Sequence, residues 1–332
     1  MENGIYLYMF DVSFWGDEPK TLCIPLLNNG NDIYVITTNE NGFWETIGNP
    51  IKYSSNKNAN ELFPEIISRC SSISGLKTGN DYRLTHITLN CGQVYPSIYR
   101  PLFVDPYSNF YDVPFKKGLP SYEFYKDPVI TNPQEYSNRL RQLEIILDDL
   151  NEVFKVIDPN KHNKKTYGHA LRNIIILACT EIDMMMKHIL ENNHCPSINK
   201  SYTTKDYIKL LEPLKLNDYR IGFHRFGNSS YSPFWRWEKK KPSDSIWWYK
   251  AYNEIKHDRE TKYKFANLGT AINAVMAFAI VLIAQYGYRN KLWDEHVGKI
   301  LRIDKEPHWE LKDFYFTRYN SRSVQFVNYP FS

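Results

Sequence analysis

Apolar and aromatic residues cluster in short, dense stretches over the first part of the chain: Ile5-Tyr6-Leu7-Tyr8-Met9-Phe10, Asp32-Ile33-Tyr34-Val35-Ile36-Thr37 and His86-Ile87-Thr88-Leu89-Asn90. Branched and aromatic side chains in such runs suit a pleated surface, so these stretches predict strands. Between them, Asn28-Asn29-Gly30-Asn31 and Asn39-Glu40-Asn41-Gly42 supply residues that tolerate positive φ, the chemistry of tight turns. Leu62, Ile66 and Ile67 recur at helical spacing and predict a helix from about Asn60 to Ser68. The prolines at 101, 106, 114, 120 and 128 predict an extended connector.

The hydrophobic period then changes. Asn132-Pro133-Gln134-Glu135 places a capping Asn before an N1 proline, with a Glu at N3 that can reach back to the cap. Leu140, Leu143, Ile146, Leu147, Leu150 and Phe154 follow on one face, ending at Asp158-Pro159-Asn160. A longer helix from about Tyr167 to Glu191 is apolar through its middle, which suits a position buried at the centre of a bundle. Further helices are predicted at about Thr204 to Leu211, Ser245 to Arg259 and Phe265 to Tyr286. Trp247 and Trp248 are expected to be largely buried as bundle anchors. A long loop from about Asn217 to Asp244 carries seven aromatic residues, and the text from about Trp309 to Tyr329 returns to strand-like character around Asn320-Ser321.

The predicted class is α+β. A β-rich N-terminal domain spans 1–120, a connector 121–132, a helical up-down bundle 133–300 and a C-terminal β-hairpin extension 301–332. A length of 332 residues allows two domains, each with its own core. Five scattered cysteines without a C-x-x-C pair argue against a disulfide framework and fit a reducing cytoplasm. The first residues lack the pattern of a secretory signal. The apolar run from Ala274 to Ala284 falls short of the roughly 20 residues a bilayer requires, so no membrane contact is expected. A net charge of +4 neither demands nor excludes nucleic acid.

No phosphate-binding glycine loop, dinucleotide fingerprint, H-E-x-x-H or G-x-S-x-G is present, which removes the motif support for nucleotide, redox and hydrolase chemistry. No cofactor is expected. His162, His169, His188, His194 and His224 show no metal-ligand spacing, so no metal is expected either. The polar stretch Asn253-Glu254-Ile255-Lys256-His257-Asp258-Arg259 is the strongest candidate for chemistry. At about 100° per residue, Lys250, Asn253, Lys256 and His257 share about a third of the helix circumference. An imidazole beside cations and an amide is the equipment of metal-independent RNA cleavage, and the same residues also read as a solvated helix face. Glu181, in the most apolar helix, would orient His257 if the bundle set the two together; a structural ion pair is the alternative. Trp235, Arg236, Trp237, Lys239, Lys240 and Arg259 could stack on bases and meet phosphates, or the rings could pack the loop onto the bundle.

The helical region, about Gln134 to Tyr286, resembles the HEPN family of bacterial helical bundles. The similarity rests on the central helix, Ala170-Leu171-Arg172-Asn173-Ile174 to Asp183, and on Tyr252-Asn253-Glu254-Ile255-Lys256-His257 before a final apolar helix. Many HEPN proteins are dimeric ribonucleases of toxin and phage-defence systems, with an Arg four to six residues before a His. The resemblance therefore implies a homodimer acting on RNA, with His257 as acid or base and Asn253 as the polar residue. Tyr252 stands in place of the nearest-spaced Arg, and Lys250 is the substitute cation, without the guanidinium fork. The alternative is a non-catalytic interaction or dimerisation module with a ligand- or partner-binding β domain.

Overall fold

The computed structural model describes residues 4–13, 20–28, 32–38, 44–52, 77–87, 93–104, 115–116, 119–120, 125–126, 132–226, 229–258, 260–309, 315–317 and 325–331. The chain is a mixture of helix and sheet and divides into two compact units. One comprises Met1–Val94, Arg100–Pro128 and Trp309–Val327; the other comprises Tyr95–Tyr99, Val129–His308 and Asn328–Ser332.

In the first unit, β1 (Gly4–Ser13), β2 (Lys20–Asn28), β3 (Asp32–Thr38), β4 (Trp44–Lys52) and β5 (Lys77–Ile87) form one sheet in the order β4-β3-β2-β1-β5. Every pairing is antiparallel. Ile33 of β3 lies opposite Ile51 of β4, and Leu26 of β2 opposite Val35. Leu26, Ile33 and Ile51 are buried, as cross-strand aliphatic pairs on an inner sheet face should be. The expected helix at 60–68 lies outside the described residues, as does most of the proline-rich connector.

Among the described residues, the two C-terminal strand segments do not pair with each other as the expected hairpin would require. Tyr315–Thr317 pairs in parallel with Leu102–Val104, and Gln325–Phe326 in parallel with Gln93–Val94. Two neighbouring strand-like segments with a turn between them can satisfy their backbone groups on each other or on distant edges, and here distant edges provide the partners.

The second unit is built on α1 (Pro133–Phe154), α2 (His169–Asn192), α3 (Thr204–Tyr207), α4 (Trp247–His257), α5 (Leu268–Tyr286) and α6 (Lys291–Glu295). The α1 start forms as its sequence dictates: Asn132 Oδ1 accepts from the Glu135 backbone N–H at 3.1 Å, and the Glu135 carboxylate accepts from the Asn132 amide. Every residue of α5 except Asn273 is buried, so this 19-residue apolar helix is the core of the unit, packed against α1, α2 and α4.

The unit is not all-α. β6 (Arg220–Phe223) is the centre of an antiparallel sheet with β7 (Ser230–Tyr231) and β8 (Leu301–Lys305). A Cβ on Gly222 would sit 2.7 Å from the Ser229 carbonyl oxygen, so the close approach there requires glycine. The long aromatic loop therefore contains a strand pair, and its remainder is packed: Phe234 and Trp237 are buried, with ring centroids 5.6 Å apart.

Candidate functional site

The α4 helix exposes one stripe and buries another. Trp248, Tyr249, Ala251, Tyr252 and Ile255 are buried, while Lys250 and His257 are exposed and Asn253 is half-buried. Lys250, Asn253 and His257, at i, i+3 and i+7, thus share the outward stripe. Trp248 is fully buried, its indole N–H donating to the Pro233 carbonyl at 2.9 Å, but Trp247 is 52% exposed. One helical step of about 100° separates the two rings, which is enough to place one in the core and the other in solvent.

The expected cluster is only partly assembled. Lys250 donates to Asp244 Oδ1 at 3.0 Å, and this contact raises the lysine's pKa and keeps it charged. Lys256 sits on the flank of the helix and donates to the Tyr252 hydroxyl at 3.3 Å. His257 ends the helix, and its imidazole makes no hydrogen bond or ion pair to any described residue. Glu181 does not approach it. Glu181 faces α1, where its carboxylate lies 3.7 Å from the Arg139 guanidinium. Glu181 and Asp183 are about 200° apart around α2, so only one of them can face α4, and it is Asp183.

Asp183 is the centre of a network that sequence reasoning missed. Its Oδ1 accepts from the Tyr249 hydroxyl at 2.5 Å, with Tyr252, Cys179 and Lys256 close by. Burial pushes the Asp183 carboxyl up, opposed by the Tyr249 hydrogen bond, the Lys256 charge and Tyr252. Burial likewise pushes the Tyr249 hydroxyl and the Cys179 thiol up, so neither is an activated nucleophile. The signal in the sequence was Tyr249, Tyr252 and Lys256 on one helix flank, opposite a carboxylate in an apolar helix.

A carboxyl raised by folding supplies stability that is full below its unfolded value and lost as pH rises through the folded value. Tyr249→Phe removes the hydrogen bond that favours the charged form. Asp183 should then titrate still higher, and the protein should lose about 1.5–3 kcal/mol where Asp183 is ionised, the worth of a hydrogen bond to a charged group. Carboxyl-carbon NMR across the pH range checks this; an unmoved or lowered titration would contradict the network.

No protein-family model, characterised protein or solved structure matches the chain. The site's own geometry therefore carries the reading. Trp235 is 62% exposed, with the Arg236 guanidinium 4.4 Å from the centre of its ring. Arg236, Lys239, Lys240 and Lys241 are all exposed, and Lys239 reaches Glu212 at 3.3 Å. Trp237 belongs to the core: its indole N–H donates to the Pro242 carbonyl at 2.9 Å. Arg259 lies outside the described residues.

Trp235 and Trp247 flank the same internal contact. Their chain neighbours Phe234 and Trp248 meet edge-on in the core, centroids 5.8 Å apart, which brings the two backbone segments together. Among the described residues, no group of three or more His, Cys, Asp or Glu is placed to hold a metal ion.

Proposed function

We propose that the helical unit is a HEPN-like module that binds single-stranded RNA through the surface formed by the segment Trp235–Lys241 and the outward stripe of α4. One observation carries this reading. Two exposed tryptophans, Trp235 and Trp247, are chain neighbours of the Phe234 and Trp248 rings that meet in the core, one carries an arginine over its ring, and Arg236, Lys240, Lys241 and Lys250 on the same two segments are exposed. Exposed rings give base-stacking platforms indifferent to sequence, and the flanking cations neutralise phosphates. Of the residues expected to contact RNA, Trp237 serves the core instead.

Cleavage is the second reading, favoured by the shared stripe of Lys250, Asn253 and His257. It would use His257 to take the 2′-hydroxyl proton while Lys250 and Asn253 hold the phosphate. Within one chain His257 has no carboxylate among the described residues to orient its ring, and Lys250 lacks the fork of an arginine. Binding without turnover is therefore the preferred account, with dimerisation through the bundle as the HEPN resemblance implies.

Wild-type and His257→Ala protein incubated with single-stranded RNA in EDTA should both retain RNA in a gel-shift assay and leave it intact. Cleavage by wild type alone, with 2′,3′-cyclic phosphate ends, would replace the binding account by the ribonuclease reading.

A further inference from the structure

On the outer side of α1 lies an open groove of about 780 Å³, closed on one side by Glu181 of α2. α1 and α2 run antiparallel here, because Glu135 reaches His188 at 2.9 Å and Arg139 approaches Glu181 at 3.7 Å. The two carboxylates are satisfied very differently. Glu135 accepts from both Nε and Nη2 of Arg139 at 3.2 Å and from the Asn132 amide. Glu181, with only 17% of its side chain exposed, accepts no hydrogen bond from any described residue, and the 3.7 Å separation from Arg139 is too long for one.

The Arg139 fork is committed to Glu135, so it compensates Glu181 incompletely. Burial pushes the Glu181 carboxyl up in spite of the arginine beside it. A half-buried carboxylate whose ion-pair partner stands 3.7 Å away, too far to donate a hydrogen bond, keeps lone pairs that a ligand's N–H groups can use. Gln142 lines the same groove, and Ile145, 44% exposed, lies six residues beyond Arg139 along α1, roughly 9 Å by helical rise. Glu181 and Ile145 line the same groove, so a short methylene chain can set its polar head at Glu181 and rest its stem on Ile145.

We infer that this groove binds the ammonium end of a slim alkylamine, with Glu181 as the acceptor and Ile145 as the apolar rest. The chemistry is shared by free diamines and by lysine side chains of a partner protein, and it does not depend on RNA binding elsewhere in the unit. Arg141 also lines the groove, exposed to solvent, and defines the competing possibility of an anion site.

Calorimetric titration of the full chain with putrescine, with N-acetyl-lysine methylamide and with inorganic phosphate separates these cases. Saturable 1:1 binding of either amine is expected, at least about tenfold weaker in Glu181→Gln, a near-isosteric change whose folding is checked by circular dichroism. Binding of putrescine alone assigns the site to free amines, and binding of the lysine derivative assigns it to a basic side chain. The inference is overturned if neither amine binds or if phosphate binds in their place. It is equally overturned if Glu181→Gln binds as wild type does, or if Glu212→Gln on the surface weakens binding as much.

Discussion

Trp248→Ala should lower the stability of the helical unit by about 3–5 kcal/mol, the usual cost of truncating a large core aromatic. Trp248 is fully buried, its ring lies edge-on to Phe234 and Tyr249 at 5.8 and 5.7 Å, and its N–H is bonded inside the core. Truncation removes the packing and leaves the Pro233 carbonyl without its donor. Trp247→Ala, one residue earlier, should change stability by no more than about 0.5 kcal/mol, as surface substitutions do. Urea denaturation followed by far-ultraviolet circular dichroism measures both. Equal losses would mean that α4 is rotated from the orientation described.

The double substitution Trp235→Ala, Trp247→Ala should weaken binding of single-stranded RNA without unfolding the protein. Stacking of a base on an aromatic side chain is worth about 1–3 kcal/mol, so each ring that carries a base should cost about 5- to 150-fold in affinity. Trp235 also seats Arg236, so its loss should release that guanidinium as well as the stacking surface. Lys240→Gln and Lys241→Gln should act differently, reducing the slope of log K against log salt by about 0.7 for each phosphate that is no longer neutralised. Fluorescence anisotropy with a labelled oligonucleotide, at two salt concentrations, distinguishes the effects. Affinity unchanged by loss of both tryptophans would remove this surface from the RNA account.

Helix starts and buried stripes were legible because they rest on local rules. Asn132-Pro133 forms the cap its chemistry requires, and the apolar positions of α1 at 140, 143, 147 and 150 are buried. Partners across the fold were not legible. Glu181 and Asp183 look equivalent in an apolar helix, yet their angular separation sends one to Arg139 and the other to Tyr249. The role of Glu135 followed from its place in the cap, but its link to His188 depends on how α1 meets α2. Aromatic content likewise conceals the difference between Trp235, which is exposed, and Trp237, which packs on Phe234. The segments 315–317 and 325–326 carry strand character in their sequence, but their parallel pairing with Leu102–Val104 and Gln93–Val94 is set by which edges the fold leaves open.

The central claim, that RNA lies across the exposed tryptophans, is tested most directly by ultraviolet cross-linking of the full chain to a single-stranded oligonucleotide, with the attachment sites mapped by mass spectrometry. The account predicts cross-links in the peptides carrying Trp235 and Trp247. Cross-links confined to other parts of the chain, or none at oligonucleotide concentrations well above those in the binding assay, would contradict it.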